Sequence, residues 1–303
     1  MSAADVIARH RAAGREFEAG GVRSFVREAG SGQAVVCMHG VPSSCFLYRK
    51  VLDELAARGL RGVAFDLPGL GLAERPAGYD YTWTGLGRFA IAAVDALGLD
   101  GFHLVVHDIG GPVGLELAAA MPERVRSITV LNTLVCVDGF RRPLIMAPFA
   151  VPVLGELWLA TSRGPAFAQL MYYTAIGDRS AITKDELGAY AALVRRADGG
   201  RAFLKIMRSF ELTRAKQELY TAALRDHRYA VQIVWGADDP VLTLAKHGEQ
   251  ARAAAGLDEI HALPAKHFLQ EDQAPAIADR VAEIADAKLP DTKTLDARRL
   301  LEP

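Results

Sequence analysis

Three cysteines in 303 residues, at positions 37, 45 and 136, leave no disulfide framework and no metal-ligand spacing. Cys37 and Cys136 lie in apolar, strand-like runs and are expected to be buried thiols. Net charge is equally scarce. The 35 Lys and Arg residues face 36 Asp and Glu residues, with both signs interspersed, for a net −1. No basic stretch is present to follow a phosphate backbone, which argues against nucleic acid as a partner. Long greasy runs are missing too. The longest uncharged apolar stretch, Pro143 to Gly155, is too short for a bilayer and carries Pro143, Pro148 and Pro152. The first residues, Met1-Ser2-Ala3-Ala4-Asp5, lack the apolar core of a signal peptide. No stable membrane insertion and a cytoplasmic location are the expectations. There is no internal repeat and no low-complexity tract.

What is present is a hydrophobic half, 50% of the chain, enough for one large α/β domain with an insertion or for two small domains. Arg15 to Glu28 alternates around Gly20-Gly21 and reads as a hairpin. Short apolar strands are expected at Gln33–Met38, Leu60–Asp66, Phe102–Val106 and Val125–Leu131, and later at Val231–Trp235 and Ile260–Leu263. Helical spacing marks Ser43–Ala57, Trp83–Leu97, Gly111–Met121 and about Ala274–Ala287. Such alternation predicts a mostly parallel central sheet with helices on both faces. It lapses between Cys136 and Asp226, where the chain is helical, apolar and proline-punctuated. The expected division is therefore a core over 1–135, an inserted helical cap over 136–226, and the rest of the core with a C-terminal tail over 227–303. A cap belongs over the carboxyl ends of the strands, where open α/β sheets bind ligands. The polar tail from Lys288 to Pro303 is expected to be peripheral.

The run Leu104-Val105-Val106-His107-Asp108-Ile109-Gly110-Gly111-Pro112 drives an apolar strand through a turn of small residues into a helix. That is the plan of a nucleophile elbow, with Asp in place of Ser. Asp here also suits a helix N-cap, so the rest of the chain must decide. A carboxylate is a poor acyl nucleophile, but it can displace a leaving group at an sp³ carbon and become an alkyl ester. Hydrolysis of that ester calls for a general base. His267, in Ala265-Lys266-His267-Phe268-Leu269-Gln270-Glu271-Asp272, follows the last strand and suits that role. Trp235-Gly236-Ala237-Asp238-Asp239-Pro240 ends another strand with two acids. Asp239 is preferred over Asp238 as the partner that fixes the tautomer of His267, from its spacing after Gly236. A turn rich in Asp and Pro is the ordinary reading of that segment.

Together these segments resemble the haloalkane dehalogenase and epoxide hydrolase branch of the α/β-hydrolases. The resemblance runs from about Val22 to Ala287. It is carried by His39-Gly40-Val41-Pro42, Phe46-Leu47-Tyr48-Arg49, Asp66-Leu67-Pro68-Gly69, Val105-Val106-His107-Asp108 and the His267 segment. It implies an α/β-hydrolase fold, oxyanion-hole amides from Val41 and Ile109, and no cofactor or metal. Some dehalogenases carry the acid as Glu after the sixth strand. The matching residue here is Asn132, which supports Asp239.

The departures bear on the substrate. Dehalogenases usually follow the nucleophile with Trp, and often have Asn in the His-Gly loop, both serving the halide. This chain has Ile109 and Val41. Epoxide hydrolases instead use cap tyrosines, for which Tyr172 and Tyr173 are candidates, while Met207 stands where a second Tyr is expected. Trp158, Tyr190 and Tyr220 are further aromatic residues of the cap, each more simply read as packing. Trp158, Tyr172, Tyr173 and Met207 are thus the expected substrate contacts. The expected activity is hydrolysis of a small apolar electrophile by water, dehalogenase-like first and epoxide-opening second. A non-catalytic small-molecule receptor on the same fold is the third reading.

Overall fold

Strands that read as continuous apolar runs need cover on both faces, and the chain supplies it. The structure, a computed structural model, describes residues 2–161, 164–226 and 228–287. Its strands are β1 (Arg15–Ala19), β2 (Val22–Ala29), β3 (Ala34–Met38), β4 (Arg61–Phe65), β5 (Phe102–Asp108), β6 (Val125–Thr133), β7 (Ala230–Gly236) and β8 (His261–Leu263). They form one eight-stranded sheet in the order β1-β2-β4-β3-β5-β6-β7-β8. The β1–β2 and β2–β4 pairs are antiparallel, and every later pair is parallel.

Side chains alternate across the sheet. In β5, Phe102, Leu104 and Val106 join one apolar cluster and Val105 joins the other. The helices Trp83–Ala96 and Gly110–Ala120 pack together over the first face, and Arg49–Ala57 and Ala274–Asp286 pack together over the second. The tail from Lys288 to Pro303, expected to be peripheral, lies outside the described residues. No described helix is long and apolar enough to cross a membrane.

The structure departs from expectation at several elements. Ala3–Ala12 is a helix, started by a capping box in which Ser2 and Asp5 satisfy each other's backbone amides. Its charged surface hid the pattern, because only Val6 and His10 are buried. The helix expected from Ser43 begins as a 3₁₀ turn, Cys45–Tyr48, and becomes α-helical only at Arg49. Strand β6 runs two residues further than expected, to Thr133, which matters below. Cys37 is buried as expected, whereas Cys136 is only half-buried.

Between β6 and β7 the chain is helical, with Leu154–Thr161, Gly164–Thr174, Lys184–Arg195, Arg201–Arg208 and Arg214–Leu224. The last of these packs on Gly110–Ala120 rather than over the strand ends. The Lys216 ammonium and the Tyr220 hydroxyl both reach Glu116 on that helix.

A largely buried charge cluster ties the inserted helix Lys184–Arg195 to the helix Arg49–Ala57 and to the segment after β8. Glu271 accepts from Arg49 at 2.5 and 2.9 Å and from the Tyr190 hydroxyl at 2.6 Å, with the Lys50 ammonium 2.8 Å away. Arg49 also reaches Glu186 at 2.8 Å. Removing one member strands the others in a dry site. Glu271→Ala is therefore expected to cost about 3–5 kcal/mol of stability. Chemical denaturation of the variant against the natural protein measures it.

Candidate active site

The turn after β5 is built by close contact. Asp108 has φ +52°, a left-handed conformation that a non-glycine residue holds only when its surroundings enforce it. Gly110 and Gly111 make the turn possible. A Cβ on Gly110 would strike the Met38 carbonyl of β3, and one on Gly111 would strike the Thr133 side chain. Thr133, the last residue of β6, donates its hydroxyl to the Asp108 carbonyl. The following helix has Ile109, not Asp108, at its N-cap position. The capping reading of Asp108 therefore fails.

The Asp108 carboxylate accepts the Val41 amide on Oδ1 at 2.7 Å. Its Oδ2 lies 3.5 Å from Nε2 of His267. Val41 is held there by its neighbour. His39 donates from Nδ1 to the Gly40 carbonyl at 3.0 Å and accepts the Leu67 amide on Nε2 at 3.0 Å. His39 is thus a structural link. Asp66 serves the same scaffold by accepting the Cys45 and Leu72 amides.

On the far side of His267, Nδ1 donates to Asp239 Oδ2 at 2.7 Å. Asn132 donates to the same oxygen at 2.6 Å, while Oδ1 accepts the Val241 and Leu242 amides at 2.7 and 2.9 Å. Asp239 is buried and Asp238 is exposed. The loop is pinned at both ends, since the Trp235 indole donates to the Leu242 carbonyl and Gly236 donates to Asn132 Oδ1. Asn132 does more than leave the alternative acid site uncharged. It orients Asp239, a role visible only once β6 is seen to extend past Leu131.

The charges follow from this packing. Burial opposes a charged His267 ring, but Asp239 and Asp108 together outweigh it and push its pKa up to about 10. Burial works against the charge of Asp108 and Asp239 as well, and His267 reverses the balance, so both lie below the usual carboxylate range. The Ile109 amide also favours the charged form of Asp108.

Asp108 and His267 open onto a cavity of about 80 Å³. One helix of the insertion supplies Phe167, Leu170, Met171 and Thr174, and its neighbours supply Leu159, Val194, Arg195 and Phe203. Trp158, Tyr172, Tyr173 and Met207 are not among the described lining residues. Trp158 is 37% and Tyr173 68% exposed, Tyr172 stacks under Arg179, and Met207 is buried elsewhere. Tyr190 and Tyr220 serve the charge contacts described above. The lining residues 167, 170, 171 and 174 repeat at one helical face, a signal present in the sequence. Aromatic chemistry pointed instead to the neighbouring positions 172 and 173. Arg195, a guanidinium in a mostly apolar lining, carried no sequence signal beyond charge near a helix end.

Comparison with known proteins establishes the family. The alpha/beta hydrolase fold family matches residues 33–274. The chain belongs to the α/β-hydrolase fold family. Within it the chain falls in the branch of haloalkane dehalogenases and epoxide hydrolases. It is 26% identical to haloalkane dehalogenase 2 of Mycobacterium bovis over 89% of this chain and 93% of that protein. It is 26% identical to an uncharacterised hydrolase of Saccharomyces cerevisiae, over 86% of this chain and 92% of that protein. The structure of an epoxide hydrolase from Vigna radiata shares the fold with a TM-score of 0.72, at 24% identity, over 90% of this chain and 97% of that one.

Proposed function

We propose that this hydrolase uses Asp108 to displace a leaving group from an sp³ carbon of a small apolar substrate, in the manner of a haloalkane dehalogenase. The observation that carries the reading is the carboxylate at the end of β5, one oxygen held by the Val41 amide and the other facing His267. In the first step an Asp108 oxygen bonds to the substrate carbon, the carbon–halogen bond breaks, and the halide leaves with the electron pair. In the second, water adds to Cγ of the ester and His267 takes the water proton. The Val41 and Ile109 amides stabilise the oxyanion. The Cγ–O bond to the substrate then breaks, and the alcohol leaves with the proton returned through His267. Alkyl halide and water become alcohol, halide and a proton. No cofactor or metal enters, and the inserted helices from Leu154 to Arg208, several of which line the cavity, act as the cap.

The charge balance suits this order. While Asp108 is anionic, His267 holds its proton. Alkylation removes one of the two negative charges that stabilise that proton, so the ring pKa falls, the Nε2 proton passes to solvent, and the ring becomes a proton acceptor at the step that needs one.

Halide is favoured over epoxide because Tyr172 and Tyr173, the candidate acids for an epoxide oxygen, lie away from the cavity lining. The halide itself is poorly served. The described lining offers no indole and no side-chain amide, only Arg195 and the Thr174 hydroxyl, which already donates to the Leu170 carbonyl at 2.8 Å. A buried anion without good donors is costly. Better leaving groups should therefore be preferred strongly. Halide release from matched 1-chloro-, 1-bromo- and 1-iodobutane is expected to rise at least tenfold from chloride to bromide. Equal rates for chloride and bromide would contradict the missing-donor argument. Rapid epoxide opening with no halide release from any of the three would replace the halide reading with the epoxide one. No turnover of either class would leave the receptor reading.

A further inference from the structure

The base and the nucleophile are joined by a bond outside the Asp108–His267–Asp239 set. His107 precedes Asp108 in β5 and is fully buried. Its Nε2–H donates to the backbone carbonyl of His267 at 2.7 Å. The two imidazole rings lie 4.7 Å apart, and the Phe268 ring meets His107 edge-on at 5.8 Å. Strand β5 does not pair with β8, since β6 and β7 lie between them. The sheet ladder thus relates the loop after β8 to β5 only through two intervening strands. His107 spans that interval directly. It is covalently joined to the residue carrying the nucleophile, and it holds the carbonyl of the residue carrying the base.

Val105 and Val106 show that apolar residues suit the interior of β5, and packing alone would accept one at 107. The donor is what distinguishes histidine there. Burial and the charge of His267 keep the ring neutral, its pKa pulled down to about 3, so one N–H remains for the carbonyl through the cycle.

We infer that His107 is a positioning residue that sets His267 against Asp108, and that hydrolysis of the ester depends on it far more than ester formation does. The inference rests on the function proposed above. Ester formation needs the Asp108 carboxylate, which the Val41 amide continues to orient when the His267 ring shifts. Ester hydrolysis needs a water held between His267 Nε2 and Asp108 Cγ. Misplacement by about 1 Å costs on the order of a hundredfold in such steps.

The test compares His107→Leu and His107→Gln with the natural protein, using 1-bromohexane as the probe. Rapid quenching with intact-protein mass gives the alkylation rate, and alcohol release gives turnover. In His107→Leu, alkylation should stay within about threefold of the natural rate while hydrolysis falls tenfold or more. The alkyl-enzyme should then accumulate although His267 is intact. In His107→Gln the side-chain amide can donate to the same carbonyl, and hydrolysis should recover at least in part. A merely structural role would slow both steps together, and that result overturns the inference. So would Gln performing no better than Leu, or normal turnover without adduct. If His107→Leu does not fold, His107→Asn, whose shorter amide falls short of the carbonyl, gives the same comparison with Gln. Absence of any Asp108 adduct in a His267→Gln control would instead refute the nucleophile assignment, which separates the two failures.

Discussion

Replacing His267 by Gln is expected to stop turnover and leave the protein heavier by one alkyl group. The first step draws on Asp108, whose carboxylate is oriented by the Val41 amide at 2.7 Å. That contact survives the substitution. The second step loses the group that removes a proton from water, and general-base assistance contributes roughly 10²–10⁴-fold. Formation of the ester should therefore outrun its hydrolysis. Intact-protein mass after incubation with a bromoalkane, followed by peptide mapping, should place the added group on the peptide holding Asp108. Asp108→Ala should show neither adduct nor turnover. An adduct on any other residue, or full activity in Asp108→Ala, would remove Asp108 from the mechanism.

The second large effect is expected at Asp239. Its Oδ2 receives both the His267 Nδ1 proton and the Asn132 amide, and its Oδ1 receives two backbone amides. Asp239→Asn keeps the shape but removes the charge that holds the imidazole proton on Nδ1. With its NH₂ group toward Nδ1 the amide favours the wrong tautomer and meets Asn132 donor to donor, and turned round it meets the Val241 and Leu242 amides donor to donor. Turnover should fall by two to four orders of magnitude, in line with such substitutions in hydrolytic triads. Asp238→Asn, one residue earlier but exposed, should stay within about twofold, as surface changes commonly do. Steady-state rates of the two variants decide the matter, and a larger loss at Asp238 would show that the loop has been read in the wrong register.

Asp108, His267 and Asp239 were legible in the sequence because each sits at a strand end marked by local chemistry. Small residues follow Asp108, Gly236 precedes Asp239, and His267 lies in the connection that follows the last strand. The alternating strands and helices were legible for a related reason. Their period is a local property, and burial on both faces makes the strands apolar throughout. The N-terminal helix escaped because little of its surface is buried, leaving only a weak periodic pattern.

The cavity lining was decided by tertiary structure. Which side of the helix Gly164–Thr174 faces Asp108 depends on how that helix is rotated against its neighbours, and no local property records the rotation. Phe167, Leu170, Met171 and Thr174 face the cavity, while Tyr172 and Tyr173, adjacent in sequence, turn elsewhere. The bonds of Asn132 to Asp239 and of His107 to the His267 carbonyl belong to the same class. Each joins residues more than a hundred positions apart, and forms only when parallel strands bring their carboxyl ends to one edge of the sheet. Local residue order determined the chemistry available to this protein. Long-range packing decided which side chains stand close enough to take part in it, because hydrogen bonding and desolvation act over a few ångströms in space.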